Sequence, residues 1–406
     1  MKTRTRNLAL LVLVALCVRL PVLAFSPGAP YDMESYARVA ACNGPGLYAS
    51  PMLDGRYPYL PLWWLLLKGL ALAHWLFGGD PGLWFRLPGL AGDLALCILA
   101  CLLAGRRWRG THAVDSAAHE QAGLIAGLSW ALNPLAVLAS AAHGQFDSLA
   151  LALLLGAAWL LEYSRNPRGD GLAALCLGAA VALKTWPVAF LPLYLAMFPS
   201  VRARLRFAAW VLVPPLLLLL PWLFMDGPQA VAAHLCYSGA NGLGLSNALK
   251  ACFFAAGAPP ELWRQADFWF RAAALALLGL AFAWALLRRG GLRLLDGLPW
   301  AALTLILLAP GLSPQYLIWA PALALALSPA LVWRLSLAAL PLALAFYALF
   351  MPSVLAASMA WSPPSPSPAL ILAWGAANLA WWAWTLREWG GLKDRNLARP
   401  RAGYFS

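Results

Sequence analysis

Acidic residues are scarce in this chain. Only 16 of its 406 residues are Asp or Glu, against 29 Lys and Arg, and charged residues make up 11% of the sequence while hydrophobic residues make up 62%. No water-soluble domain can hide so much apolar surface, so we expect the chain to lie in a lipid bilayer. The net charge of +13 does not indicate a nucleic-acid partner, because the basic residues sit in short clusters between apolar runs.

Strand-like alternation is missing as well. The apolar runs are long and rich in Leu and Ala, as in VLVPPLLLLLPWLF, and lack the two-residue alternation of a membrane β-barrel. Besides the closed barrel, the α-helix is the structure that satisfies all of its backbone hydrogen bonds within lipid. The predicted fold class is therefore an all-α polytopic membrane protein of about 12 transmembrane helices, in one integral membrane domain over 1–406.

Motifs for cofactors and metals are absent too. The sequence has no Walker loop, no GxGxxG after a strand, no HExxH and no serine elbow, and its seven cysteines form no CxxC pair. We therefore expect no cofactor and no metal site. The nearest approach to a ligand set is His143 with Asp147, four residues apart, and two such groups are a thin set for a metal ion.

Hydrophobic runs of about 20 residues predict the membrane spans. The candidates are 7–25, 83–104, 121–140, 147–162, 171–185, 186–199, 206–224, 267–287, 298–312, 315–332, 335–351 and 368–386. Arg19 lies inside the first span, and we expect it to pair with an acid such as Asp93.

The basic residues predict the orientation of the spans. With both termini in the cytoplasm, 20 of the 29 Lys and Arg residues fall on the inner side and eight on the outer side. This topology places 26–82 and 225–266 in two large outer loops and 387–406 in a cytoplasmic tail. If the apolar run 59–77 were counted as a span, the orientation of all later segments would be inverted. We therefore expect it to be a helix that lies in the outer interface or re-enters the membrane from it.

Five polar stretches fall on the outer side in this topology. They are YDMES (31–35), DGRYPYLP (54–61), HGQFDS (143–148), KTWP (184–187) and SPQY (313–316). Polar side chains at any one helix end could simply meet lipid headgroups. For all five on a chain with so few acids, a shared functional cavity is the better interpretation.

The same stretches carry a family resemblance. The segments GRYPYLPLWW, FRLPGLAGDLALCILACLL, NPLAVLASAAHGQFDSLALALLL, ALKTWPVAFLPLYL and LSPQYLIWAPAL resemble the GT-C glycosyltransferases over roughly 7–330. The chain is similar to the mannosyltransferase of glycosylphosphatidylinositol assembly and to bacterial polyprenol-phosphate-mannose-dependent mannosyltransferases. The resemblance rests on the order and spacing of these segments.

The resemblance implies a GT-C-like bundle with interfacial helices in a large first outer loop. It also implies a bacterial inner-membrane enzyme that transfers a hexose, mannose by analogy, from a polyprenyl-phosphate donor to a glycan, lipid or protein acceptor. The first outer-loop acid, here Asp32, would act as the general base of an inverting displacement. The family often has Asp-x-Asp where this chain has Asp32 and Glu34, so Glu34 either orients a substrate, binds a cation weakly or is a solvated loop residue.

Other residues are candidates for substrate binding. Lys184 is the best candidate to contact the leaving lipid phosphate. Arg86 and Arg264 are second choices, and snorkelling to the interface explains them almost as well. Sugar hydroxyls could bind to His143, Gln145 and Asp147. Tyr57, Gln315 and Tyr316 either line the same cavity or belong to the interfacial aromatic belt.

Two other functions fit the same polar cavity. One is a transporter or flippase of lipid-linked sugars without catalytic activity, for which matching internal repeats would be expected and none is found. The other is a noncatalytic partner of a polymerase or ligase. The clustering of acids on one face favours the enzyme, and the absence of a soluble nucleotide-binding domain favours a lipid-linked donor.

Overall fold

The structure is a computed structural model that describes residues 2–44, 46–53, 57–109, 116–164, 167–235, 242–287, 293–309, 311–355 and 367–397. Within these ranges the chain is almost entirely helical. The β-structure they contain is one isolated antiparallel bridge between Leu243 and Leu312. The predicted all-α fold is therefore confirmed.

The α-helices follow one another in chain order. They are α1 (Lys2–Phe25), α2 (Pro30–Ala41), α3 (Pro61–Phe77), α4 (Pro81–Arg109), α5 (Ser116–Ala131), α6 (Pro134–Val137), α7 (Asp147–Tyr163), α8 (Pro167–Leu183), α9 (Leu191–Leu195), α10 (Val201–Met225), α11 (Pro228–Leu235), α12 (Leu245–Ala255), α13 (Pro260–Leu287), α14 (Leu294–Leu308), α15 (Trp319–Ala324), α16 (Pro329–Phe350), α17 (Pro352–Leu355) and α18 (Pro368–Leu397). A π turn (Leu138–Ala142) follows α6, and 3-10 turns precede α9 (Trp186–Phe190) and α15 (Pro314–Ile318).

Proline begins many of these helices. α2, α3, α6 and α16 each have proline in their first turn. A proline there costs no hydrogen bond, because the first N–H groups of a helix have no partner inside it, and its fixed φ suits the helix. The prolines at these four positions therefore mark where helices start, whereas Pro214, Pro215 and Pro221 lie inside α10.

Five of the described helices are long and apolar enough to cross a membrane. They are α1, α4, α10, α16 and α18, and a sixth span results if α5 and α6 with the π turn count as one element bent by 44°. The protein is thus an integral membrane protein by the length and composition of its helices. The predicted number of 12 spans is not confirmed, because several predicted spans are helices of 17 residues or fewer.

The predicted outer loops contain helices. The helix expected at 59–77 is present as α3, and α2 lies in the same segment 26–82. The segment 225–266 holds α11, α12 and the start of α13, and the predicted tail begins as the last turns of α18. The sides of the membrane on which these segments lie remain predictions.

α4 lies at the centre of the helix packing and contacts α1, α5 and α7. Two glycines allow the close approach. A Cβ on Gly92 would lie 2.1 Å from the backbone nitrogen of Leu149 in α7, and a Cβ on Gly89 would lie 2.5 Å from the carbonyl oxygen of Gln145. Because Gly89 and Gly92 are three residues apart, they form one bare strip of the helix. α4 therefore touches the turn before α7 with its backbone.

A buried ion pair joins α1 to α4, as the sequence predicts. Arg19 Nε donates to Asp93 Oδ2 at 2.6 Å, and both side chains are fully buried. The rest of the guanidinium donates to the carbonyls of Ala131 and Trp130, while Trp130 Nε1 and the Ser140 hydroxyl donate to Asp93. Hydrogen bonds thus surround both charges, which is the condition for burying them.

An aromatic cluster fixes α2 against α3 and the turn before α7. Tyr36 makes edge contacts with Trp63 and Phe146, at centroid distances of 5.2 and 6.2 Å, and Trp63 stacks on Phe146 at 3.5 Å. Residues four apart share one face of a helix, so Asp32 lies above Tyr36 on the buried side of α2. This packing aims Asp32 at the turn that contains Phe146.

Candidate active site

The turn at 143–146, between the π turn and α7, is the centre of the candidate site. The N–H of His143 donates to the carbonyl of Leu138, five residues earlier, at 2.9 Å. The chain then reverses at Gly144, whose φ of +94° is a conformation open to glycine. A Cβ at this position would also lie 2.7 Å from Met33 Cε of α2. The backbone of this turn is therefore set by its local sequence and by α2.

Asp32 reaches into this turn from α2. His143 Nε2 lies 2.6 Å from Asp32 Oδ2, and the Gln145 side-chain amide donates to the same oxygen at 2.7 Å. The other ring nitrogen of His143, Nδ1, lies 2.6 Å from the hydroxyl of Tyr347 on α16. One carboxylate oxygen is thus held by two donors that come from a single turn.

Lys184 approaches the turn from the end of α8. Its Nζ donates to Asp147 Oδ2 at 2.6 Å and to Gln145 Oε1 at 3.1 Å. The second oxygen of Asp147 accepts from Trp319 Nε1 at 3.0 Å. Gln145 therefore links the two halves, since its amide nitrogen contacts Asp32 and its amide oxygen contacts Lys184. The polar network formed by Asp32, His143, Gln145, Lys184 and Asp147 is called the central network below.

Burial differs sharply within the central network. The side chain of Asp32 is 19% exposed, whereas that of His143 is 2% exposed and that of Asp147 is fully buried. Gln145 and Lys184 are buried too. Among these five side chains Asp32 is thus the one that meets the solvent, and a substrate that arrives from outside would reach its carboxylate first.

The surroundings of Asp32 act in opposite directions on its pKa. Burial raises the pKa of the carboxyl group, while the hydrogen bond from His143, the positive charge of a protonated His143, the hydrogen bond from Gln145 and the positive charge of Lys184 lower it. The donors prevail, and the pKa of Asp32 lies below its ordinary value of 3.8. Asp32 is therefore a carboxylate at neutral pH and can accept a proton.

Aromatic rings surround the ammonium group of Lys184. Its Nζ lies 4.3 Å from the ring centre of Phe146 and 5.6 Å from that of Tyr59. A cation over the face of an aromatic ring is attracted by the ring's negative face. Together with Asp147, these rings stabilise a charged lysine where little water reaches.

Glu34 lies outside the central network. α2 is a regular helix over Pro30–Ala41, so side chains two positions apart point about 200° away from each other. Glu34 is exposed and forms an ion pair with Arg38 on the same helix. Its position does not support a role beside Asp32.

Arg86 lies next to the turn but binds backbone. Its guanidinium donates to the carbonyls of Ser26, Leu23, Ala141 and Gly82, at 2.6 to 3.2 Å. The side chain is 1% exposed. Arg86 thus ties the end of α1 to the π turn, and its position gives no support to the predicted substrate contact.

The predicted aromatic and amide residues divide into two groups. Tyr57 is buried, and its hydroxyl donates to the Leu60 carbonyl and accepts from the Trp64 N–H, so it holds the start of α3. Tyr316 packs on Trp319 at 4.5 Å, beside the central network. Gln315 is buried on the same turn, and its Oε1 has no hydrogen-bond partner among the described residues. Asp54, the acid of the predicted polar stretch 54–61, lies outside the residues that the structure describes.

Two contacts of the central network were missed from the sequence. Tyr347 lies in the apolar run predicted as span 335–351, and Trp319 lies in the run after SPQY. Both are separated by more than 170 residues from the partners that they bond. The available signal was weak: a hydroxyl or indole N–H inside a bundle needs a hydrogen-bond partner. Sequence alone does not say which one.

Metal ligands are not gathered at this site. No group of three or more His, Cys, Asp or Glu side chains that could hold an ion occurs among the residues that the structure describes.

Comparison with known proteins adds little to the geometry. No family model matches the chain. The chain is similar to the crystal structure of ArnT from Cupriavidus metallidurans bound to undecaprenyl phosphate, with 17% identity over 95% of this chain and 78% of that chain and a TM-score of 0.42. A TM-score of this size does not establish a shared fold.

Proposed function

We propose that this protein is a membrane glycosyltransferase that transfers a hexose, mannose by family resemblance, from a polyprenyl-phosphate donor to a glycan, lipid or protein acceptor. Asp32 is the general base. The active site lies on the extracytoplasmic face, as the distribution of basic residues predicts. The single observation that carries the proposal is the carboxylate of Asp32, the most exposed member of an otherwise buried polar network.

The pairing of Asp32 with His143 raises the question of which of the two is the base. Both ring nitrogens of His143 are engaged, one by Asp32 and one by Tyr347, and the ring is buried. Asp32 is the more exposed partner and is ionised at neutral pH. A general base must come within hydrogen-bond reach of the proton that it removes. Asp32 meets this condition and His143 does not.

The reaction is a single displacement at the anomeric carbon. The acceptor oxygen forms a bond to C1 of the donor sugar as the bond between C1 and the phosphate oxygen breaks. The bonding electron pair leaves with the lipid phosphate, and the acceptor's proton moves to Asp32. Attack from the side opposite the phosphate inverts the configuration at C1.

Lys184 is placed to favour departure of the phosphate. An ammonium group has three N–H donors, and two of them point to Gln145 and Asp147. The third has no hydrogen-bond partner among the described residues, and it can reach an oxygen of the donor phosphate only if donor binding opens the buried surroundings of Lys184. A charge-assisted hydrogen bond in a site that excludes water stabilises the negative charge that develops on the leaving group.

Transfer from a defined donor tests the proposal. The purified full chain is incubated with a short-chain polyprenyl-phosphate mannose and a panel of glycan, lipid and peptide acceptors. Asp32→Asn is the decisive variant, because the amide keeps the shape but cannot take the proton. We expect its turnover to fall by about 100- to 10,000-fold while donor binding persists.

Glu34→Gln on the same helix is the matched control, and we expect nearly full activity because Glu34 is exposed and paired with Arg38. Near-full transfer by Asp32→Asn would show that Asp32 is not the base. If wild type transferred no sugar from mannose-, glucose- or arabinose-type polyprenyl-phosphate donors, the enzyme proposal would fail. Flux of a lipid-linked sugar in proteoliposomes would then support the transporter.

A further inference from the structure

The two oxygens of Asp32 are in different situations. Oδ2 accepts from both His143 Nε2 and Gln145 Nε2, at 2.6 and 2.7 Å. No described residue donates to Oδ1. Because an ionised carboxylate only accepts hydrogen bonds, two donors on one oxygen leave the other free for a substrate proton. The carboxylate group is thus anchored through one atom and open at the other.

The hydrogen on His143 can be placed from its partners. Asp32 is ionised, so the nitrogen that faces it, Nε2, must carry a hydrogen. In the neutral ring Nδ1 then has a lone pair, and it needs a donor. The hydroxyl of Tyr347, 2.6 Å away, supplies that donor. In this ring form the Tyr347 hydroxyl satisfies Nδ1 and so fixes the orientation of the ring that donates to Asp32.

Both groups are held firmly. Tyr347 is 1% exposed on α16, and its ring meets the His143 ring edge-on at 5.5 Å. The backbone of His143 is bonded at both ends, through its N–H to Leu138 and through its carbonyl to the Ala29 N–H at 2.7 Å. A side chain whose backbone and ring are both fixed can hold its partner in one geometry.

We propose that His143 and Tyr347 are positioning residues that hold Asp32 by Oδ2, so that Oδ1 is the atom that receives the acceptor's proton. This inference rests on the proposed glycosyl transfer and assigns roles to two residues within it. His143 does not itself meet the substrate. Tyr347 acts one step further away, through His143.

Three substitutions separate the steps of this chain of contacts. Tyr347→Phe removes only the hydroxyl that fixes the ring. His143→Leu removes the donor to Asp32. His143→Gln restores a side-chain N–H near the position of Nε2. Tyr194→Phe is the matched control, because the Tyr194 hydroxyl is also fully buried and donates to one acceptor, the Leu154 carbonyl, away from the site.

We expect kcat to fall by about 3- to 10-fold in Tyr347→Phe, as for loss of a neutral hydrogen bond, and by about 10- to 100-fold in His143→Leu, as for loss of a hydrogen bond to a charged group. The KM for the donor should stay the same, because Asp32 acts on the acceptor. His143→Gln should recover most of the loss from His143→Leu, and Tyr194→Phe should match wild type.

The pH profile gives a readout that a purely structural role would not move. Asp32 faces His143 and Gln145 from the turn and Lys184 from α8. Loss of the His143 donor should raise the pKa of Asp32, so the acid limb of kcat/KM should move to higher pH in His143→Leu. His143→Gln should move it back.

Each outcome decides one of two questions. If Asp32→Asn is inactive while Tyr347→Phe and folded His143→Leu keep the wild-type kcat and acid limb, the positioning role is wrong and the proposed function stands. If wild type transfers no sugar, the proposed function itself fails. If Asp32→Asn is fully active, Asp32 is not the base and the positioning roles fail with it. If His143→Leu does not fold, Tyr347→Phe alone decides, because it changes one buried hydroxyl group.

Discussion

Asp32 keeps its charge although most of its surface is buried. Burial alone would raise its pKa, and the hydrogen bonds from His143 and Gln145 with the charges of a protonated His143 and of Lys184 reverse the effect. Because its pKa in the folded chain is lowered, the stabilisation that these contacts give is present above the ordinary value of 3.8. It is lost as the pH falls through the lower, folded-state pKa.

The rate of transfer should follow the same carboxylate. We expect kcat/KM to show no acid limb from Asp32 between about pH 5 and pH 8, since the base stays ionised there. Initial rates at saturating donor and at acceptor concentrations well below KM across this range, with folding checked at each pH, measure it. A limb that vanished in Asp32→Asn but centred above 3.8 in wild type would contradict the direction of the shift.

We expect Lys184 to contribute to the affinity for the sugar donor. Lys184→Met combined with Asp147→Asn removes the pair without leaving a lone buried charge. We expect donor affinity to fall by about 10- to 100-fold because one charge-assisted bond to phosphate is lost. Binding of a non-hydrolysable donor analogue in detergent measures it. Lys68→Met is the control, since Lys68 bonds Asn43 at the surface; equal affinities in the two variants would assign Lys184 to packing.

Asp93 should matter for folding. Asp93→Asn leaves the fully buried Arg19 without its counter-charge, and breaking a buried pair in this way costs about 3–5 kcal/mol. Thermal unfolding in detergent should show a clear loss of stability. Glu34→Gln removes an exposed pair and should change stability by less than about 1 kcal/mol. Similar unfolding temperatures for both variants would mean that lipid headgroups or water stabilise the charge of Arg19 when Asp93 is replaced.

At the scale of the elements, α4 sets how closely the candidate site can pack. Gly92 has no room for a methyl group, because a Cβ would lie 2.1 Å from Leu149 N in the first turn of α7. Gly92→Ala should cost about 1–3 kcal/mol or more, and it should also reduce transfer because that turn begins with Asp147.

A glycine on another helix provides the matched control for Gly92→Ala. Gly69 lies within α3, and a Cβ there meets nothing within 4 Å. Gly69→Ala should therefore stabilise the helix slightly, by up to about 1 kcal/mol. Unfolding midpoints and transfer rates of the two variants are compared. Equal effects would mean that α4 and α7 can move apart without loss.

The helices themselves were largely readable from the sequence, and the way they are broken was not. Apolar runs located α1, α4, α10, α16 and α18, since length and hydropathy are properties of each run alone. The π turn after α6 and the short helix α15 depend on contacts with distant elements. This is why counting runs as spans gave 12, while five or six of the helices in the described ranges are long enough.

The candidate site was also predictable in part from the sequence. The outer-face interpretation drew together Asp32, His143, Gln145, Asp147 and Lys184, which lie together in the structure. It also included Glu34 and Arg86, because charge in a loop looks the same in a sequence whether it meets solvent, a neighbour or a backbone carbonyl. Tyr347 was missed because only the fold brings it near.

At the scale of the whole molecule, orientation in the membrane is the open prediction. Twenty basic residues on one side against eight on the other place both termini in the cytoplasm. Single cysteines at Ala49 and Ser200, in a chain whose seven native cysteines are replaced, should react from opposite sides with a membrane-impermeant thiol reagent. Ala49 should react from outside. Labelling of both positions from the same side would refute the topology.

The π turn limits how the chain can change in length. Its extra residue comes directly before His143, and in an α-helix each residue turns the chain by about 100°. Deleting one residue within 138–142 would turn the five-residue spacing between the Leu138 carbonyl and the His143 N–H into the four-residue spacing of a regular helix, so His143 would keep nearly the same direction. An added residue would have no such regular spacing to adopt. Evolution could therefore shorten this turn by one residue without moving His143 far, but a descendant with one residue more would have to rebuild the site from other residues.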